Sequence, residues 1–167
     1  MSYLIYKLNK AKIPTIYNID ATLKVWKPSI LNMHHSRLPF KYIIWWFYNF
    51  FKIFKNKKIQ IWLYYINNEL AHFFCIVPKY YRWPFMKKND VQVTYVITEK
   101  EYRGKKLAFN GIAKALNELQ IDGDIWYVTD SSNIASQKLA KKLGFELFSE
   151  GARKVSFGGF IKILKLK

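Results

Sequence analysis

Cysteine occurs once in the 167 residues, at Cys75, which excludes an internal disulfide and leaves burial of apolar surface to hold the fold. Glycine and proline are scarce, at 7 and 5, so low-complexity and collagen-like architectures are excluded and each chain breaker carries information. Acidic residues number 11 against 28 Lys+Arg, a formal charge of +17. A chain so poor in carboxylates attracts polyanions and acidic small molecules such as nucleotides. No apolar run reaches the roughly 20 residues a membrane-spanning helix needs. The start, Met1-Ser2-Tyr3, lacks the basic, apolar and small-residue order of a secretory signal, and a reducing cytoplasm is the expected location. HExxH, His/Cys clusters at metal-ligand spacing and a Gly-x-Ser-x-Gly elbow are all missing, so no metal is expected.

What is present is an apolar share of 51% and an aromatic share of 19%, the composition of a folded chain, and a length that fits one domain over residues 1–167. YLIYKL near the start reads as a strand, and residues 21–37 as an irregular segment. A helix is expected over 41–55 around the most apolar stretch, YIIWWFYNFF. Two placements fit that helix: buried or lining a cleft, or lying on an anionic membrane surface with its flanking lysines, as a peripheral association. KIQIWLYYI and LAHFFCIVP flank a short polar turn as a hairpin, and DVQVTYVIT alternates as a strand. From Arg103 the period changes to that of a helix, with Ala108, Ile112, Ala115, Leu116 and Leu119 on one face. IWYVT reads as a strand, NIASQKLAKKL as a capped helix stopped by Gly144, and ELF, KVSF and FIKILKLK as closing strands around Gly158-Gly159. This order predicts an α/β (α+β) fold, a sheet flanked by helices.

The segment EKEYRGKKLAFNGIAKAL places Arg103, Gly104, Lys105 and Lys106 at a strand-to-helix junction. The first N–H groups of a helix have no intrahelical acceptor and, with the helix dipole, suit phosphate oxygens; the glycine permits close backbone approach. The functional reading is a pyrophosphate cradle, and the alternative is a surface helix with solvated lysines.

With its preceding strand, YRGKKLA resembles the cofactor motif of the GNAT superfamily of acyl-CoA-dependent N-acetyltransferases, Arg/Gln-x-x-Gly-x-Gly/Ala, with Arg103 first and Ala108 last. Lys106 stands where the family has its middle glycine; that residue is expected to be helical already, with only its N–H required. NIASQKLAKKLGF is similar to the family's late helix, and the matching region runs over about 90–145. The resemblance implies a mixed, mostly antiparallel sheet of about seven strands, splayed between VTYVIT and IWYVT to admit acetyl-CoA. It implies that Ile97 and Thr98 bond the pantetheine arm, that the N–H groups of Arg103, Gly104, Lys105, Lys106, Leu107 and Ala108 hold the pyrophosphate, and that Asn133 lies beside the cofactor arm. The tyrosine that many members use to protonate the departing thiolate falls at Ala140 here. Ser136 is then the nearest hydroxyl.

For the catalytic base, His34 and His35 lie in the segment where the fold places the acceptor pocket, and His72 lies in a strand. His72, Gln92, Thr94, Tyr81, Arg82 and Trp83 are candidate acceptor-binding residues, and Glu99 and Asp130 weaker candidates near the cleft. The leading expectation is transfer to a small-molecule amine, such as a nucleotide-linked amino sugar of surface-polysaccharide synthesis, since KYYRWPF and NMHHSRLP offer cations for a diphosphate and rings for stacking. A peptide or protein acceptor, or a noncatalytic domain that binds acyl-CoA or nucleic acid, stays open. No sequence-specific nucleic-acid motif is present.

Overall fold

The computed structural model describes residues 2–15, 20–29, 31–156 and 161–166. Eight strands form one open sheet: β1 (Ser2–Leu8), β2 (Thr22–Trp26), β3 (Gln60–Ile66), β4 (Glu69–Pro78), β5 (Val91–Thr98), β6 (Ile125–Asp130), β7 (Phe145–Ser156) and β8 (Ile161–Leu166). Their spatial order is β2-β3-β4-β5-β6-β1-β7-β8, and every neighbouring pair is antiparallel except β5 with β6. Helix α1 (Ile43–Phe50) covers one side of the sheet, while α2 (Leu107–Glu118) and α3 (Ile134–Lys142) cover the other. The architecture expected from the sequence is therefore present, with eight strands among the described residues rather than about seven.

Three local expectations change. Thr22–Trp26, read as irregular, is an edge strand paired with β3; it has a mostly exposed burial pattern, so no apolar alternation announced it. The helix expected over 41–55 is a 3-10 turn followed by the eight residues of α1. It ends because residues 51–54 fold back, with Ile53 and Phe54 N–H groups both donating to the Tyr48 carbonyl and Lys52 left-handed at φ 54°. ELF and KVSF belong to one long strand, β7. The Gly158-Gly159 break lies outside the described residues.

Other local signals hold. The hairpin β3–β4 closes through Asn67 and Asn68, both left-handed at φ 50° and 64°, as a two-residue turn with the right strand twist demands. Asn133 caps α3, its side chain accepting from the Ser136 N–H at 3.0 Å. Gly144, at φ +86°, stops the helix where a Cβ would meet the Lys12 carbonyl at 2.5 Å.

Alternation along the strands sorts their side chains onto two cores. Ile61, Leu63, Phe73, Cys75, Tyr42 and Trp45 fill the α1 side; Tyr64, Phe74, Val91, Val93, Ile112 and Leu116 fill the side of α2 and α3. The parallel pair at the centre is tied at its base by Asp90, which is 1% exposed. Its carboxylate accepts from the Lys87 N–H (2.7 Å), the Asp124 N–H (3.0 Å) and Trp126 Nε1 (2.9 Å), so one side chain fixes the starts of both β5 and β6. Replacing Asp90 with Ala orphans these three donors, two of them backbone groups. The expected loss is about 3 kcal/mol in urea unfolding, with an unchanged denaturant slope.

Candidate active site

Above that base the two central strands part. Pairing between β5 and β6 runs only from Val91↔Ile125 to Val93↔Tyr127. Beyond it, β5 bulges: its register with β4 shifts between Phe73 and Cys75, and Tyr95 takes a left-handed φ of 51°. A tyrosine resists that conformation by roughly 1–2 kcal/mol, and here its ring packs on Tyr42 and Trp45, centroids 5.7 and 5.4 Å away, which holds it.

The opening continues on the α2/α3 side as a cleft. One part, about 360 Å³, lies against Val96, Thr98, Tyr127, Asn133 and Ser136. A second, about 420 Å³, lies against Gly104, Lys106, Leu107, Lys138 and Lys142. Thr98, Arg103, Ala108, Ala135 and Leu139 line both parts, so the cleft is continuous from the strand opening to the start of α2. That start has no side-chain cap, and its first-turn N–H groups have no intrahelical acceptor. Gly104 sits at φ +81°, with nothing within 4 Å of where a Cβ would be. Arg103 Nε donates to the Thr98 carbonyl at 3.2 Å, fastening the loop to the strand end. Lys105 points elsewhere, its ammonium over the Tyr102 ring.

Lys106 is not yet helical. It is the residue before α2, left-handed at φ 58° and ψ 16°, a conformation that suits glycine.

Tyr127 is a member of the site that sequence reasoning missed. Its phenol lies 2.9 Å from Ser136 Oγ, with both residues lining the cleft, and burial raises its pKa while the contact with Ser136 opposes that rise. Ala140 is fully buried in the core, so its position presents nothing to the cleft. Only the alternation of IWYVT could have indicated which face Tyr127 uses. Lys138 and Lys142, also missed, add cations from α3 at one helical spacing.

The remaining sequence candidates are dispersed. His72 is fully buried on the α2 side, between the rings of Tyr64 and Phe74, with Nδ1 2.9 Å from Thr98 Oγ1. Burial lowers its pKa to about 4, so the ring is neutral at pH 7 and braces Thr98 from behind. His34 and His35 pack on Phe40 and Trp26 near edge strand β2, with β3 and β4 between that edge and β5. Burial, then Lys24, His34 and Arg37, lowers the pKa of His35. Gln92 is buried and Thr94 half-buried, both at positions of β5 that alternate toward the α1 side. On that side too, Tyr81 is exposed with its hydroxyl 2.8 Å from that of Tyr48, Trp83 is buried against Tyr80, and Arg82 lies within electrostatic reach of Tyr80, Tyr81 and Tyr95. Glu99 follows β5, its N–H bonded to the Ala71 carbonyl. Asp130 ends β6, its Oδ1 accepting from the Ser132 N–H and Oγ while Oδ2 is sealed and unpartnered. Among the described residues, no His/Cys/Asp/Glu group has the makings of a metal site.

The model of the GNAT acetyltransferase family matches residues 21–145. The chain belongs to the GNAT family. β1 lies outside the matched segment, and it is this strand that fills the sheet position between β6 and β7. A solved structure assigned to the GNAT family from Novosphingobium aromaticivorans is similar at TM-score 0.54 and 16% identity over 89% of this chain and 60% of that one. A GNAT-family acetyltransferase from Colwellia psychrerythraea is similar at TM-score 0.53 and 15% identity over 87% of this chain and 52% of that one. A conserved protein from Staphylococcus epidermidis gives TM-score 0.57 and 10% identity over 89% and 58%. At these identities the likeness is one of fold, and the chain spans little more than half the length of those GNAT relatives. A search of curated proteins finds no match.

Two outcomes test the site's construction. Lys106→Gly removes a left-handed side-chain-bearing residue but keeps the peptide N–H. It is expected to leave thermal stability equal or raised by up to about 1 kcal/mol, and to retain acetyl-CoA binding in calorimetry. For His72, the unfolded chain binds a proton near pH 6.5 and the folded chain only near pH 4. Stability is therefore expected to be insensitive to this group above pH 6.5 and to fall as pH drops from 6.5 towards 4. His72→Gln flattens that part of the profile in denaturant titrations.

Proposed function

We propose that the protein transfers the acetyl group of acetyl-CoA directly to a primary amine of a small molecule, with nucleotide-linked amino sugars as the acceptor class. The observation that carries the transfer is the parting of β5 from β6 beyond Val93↔Tyr127, which continues on the α2/α3 side as a cleft reaching an uncapped helix start. The residues fit the cofactor. The N–H groups at the start of α2, with Lys106, Lys138 and Lys142, suit its phosphates; the Ile97 and Thr98 peptides suit its arm; and the space left by Gly104 allows close approach.

When bound, the cofactor supplies an activated acyl group on a thiol that leaves readily. The chain's own residues do the rest. The hydrogen-bonded pair Tyr127 Oη and Ser136 Oγ holds a proton inside the cleft, where the leaving sulfur requires one. Ser132, donating from its N–H and Oγ, holds the Asp130 carboxyl below the usual carboxylate range, so Asp130 is not the base and the amine's proton passes to water. Support for the acceptor class comes from Arg82, set among Tyr80, Tyr81 and Tyr95 with no carboxylate partner among the described residues: a guanidinium for a diphosphate beside rings for a base or sugar.

Free-thiol release from acetyl-CoA by the purified protein, with nucleotide-linked amino sugars, free amino sugars or peptides supplied separately, is the test. Release is expected with the nucleotide-linked sugars. Turnover with peptides alone would overturn the acceptor class and leave the transfer; no turnover with any amine would overturn both. Tyr127→Phe is expected to lower kcat by roughly 10–100-fold with little change in KM for acetyl-CoA.

A further inference from the structure

Helix α1 has two faces, and only one of them is used by the fold. Trp45 is its one buried residue, and with Tyr42 and Tyr48 it packs toward the sheet. Ile44, Phe47, Phe50 and Phe51 face outward, joined by Phe40 from the preceding turn, with exposures from 40% at Ile44 and Phe47 to 71% at Phe40. Their spacing, 40-44-47-51, is that of one helical stripe. The rings are organised: Trp46 stacks on Phe50 at 5.1 Å, and Phe47 lies parallel to Phe51 at 6.2 Å, forming a continuous apolar ridge. A patch of this kind on a soluble surface marks an interaction site.

The charge around the ridge says what covers it. No acidic residue occurs between Asp20 and Glu69, while eight cations do: Lys24, Lys27, Arg37, Lys41, Lys52, Lys55, Lys57 and Lys58. Lys41, Lys52, Lys55 and Lys57 are exposed at the two ends of α1 and in the segment just after it, and none has a carboxylate partner among the described residues. No helix of the described residues is long and apolar enough to cross a membrane.

We propose that α1 and its flanking turns dock the protein on the surface of an anionic phospholipid bilayer, the Phe ridge entering the boundary between headgroups and acyl chains and the lysines meeting lipid phosphates and carboxylates. A nucleic acid suits the ridge less well, because ring faces that stack on one another are not open to bases. The inference does not rest on the acetyl-transfer reading, since none of the ridge residues lines the cleft. Docked in this way, the protein keeps the cofactor side of the sheet away from the bilayer, because α1 lies on the opposite side from α2 and α3.

Co-sedimentation with phosphatidylcholine vesicles, with and without phosphatidylserine, tests it, together with the double variant Phe47→Ser/Phe51→Ser. Both positions are exposed, so the variant is expected to keep the wild-type circular dichroism spectrum and thiol-release rate. Wild-type protein is expected to sediment with serine-containing vesicles at least about tenfold more tightly than with neutral ones, and the variant to lose about tenfold or more of that affinity. A charge-reversed Lys52→Glu/Lys55→Glu variant is expected to weaken binding as well. Absence of wild-type binding to anionic vesicles would overturn the proposal. So would equal binding by wild type and the Phe variant, which would reduce the effect to charge alone. A wild-type dimer in sedimentation velocity that the Phe variant breaks would assign the face to a second copy and also overturn it.

Discussion

The site depends on a parallel strand pair that is closed at one end and open at the other. Asp90 closes it: a single buried carboxylate accepts from the loop before β5, from the residue before β6 and from an indole on β6. The last ladder contact comes only two residues into β5, at Val93↔Tyr127. Strands that are pinned at the base and free above it diverge with the twist of the sheet, and the gap between them exposes peptide edges that an ordinary ladder would consume. From this gap the cleft runs on the α2/α3 side to the start of α2.

Two left-handed residues that are not glycine, Tyr95 and Lys106, lie along the rim of this gap. Tyr95 is held by the rings of Tyr42 and Trp45, so the aromatic packing of one side of the sheet determines the shape of a strand whose other side faces the cleft. Lys106 ends the loop from β5 and immediately precedes α2, whose start has no side-chain cap. His72 contributes from behind, fully buried and bonded to Thr98. These are positions at which packing overrides local preference, as expected where geometry serves a ligand.

The two sides of the sheet also differ in charge and texture. Lys138 and Lys142 on α3 add positive charge to the cofactor side. On the other side the cations at the ends of α1 surround exposed rings. Positive charge is thus present on both sides of the sheet.

Much of this was legible in the sequence because it is written in local terms. The hairpin at Asn67-Asn68, the Asn133 cap, the Gly144 stop and the helical period after Leu107 each depend on residues within one turn or one hairpin of each other. The glycine-bearing junction and the late helix were enough to indicate the fold family. What the sequence could not determine is what depends on contacts across the sheet. Edge strand β2 lacks alternation because little of it is buried. The strand between β6 and β7 comes from the opposite end of the chain. Tyr127 meets Ser136 only because β6 and α3 pack side by side, and His34 and His35 are kept from the cleft because two strands lie between β2 and β5. Local propensity is fixed by neighbours in sequence, whereas the closeness of donor, acceptor and cation in a site is fixed by strand order and packing, which only the folded chain decides.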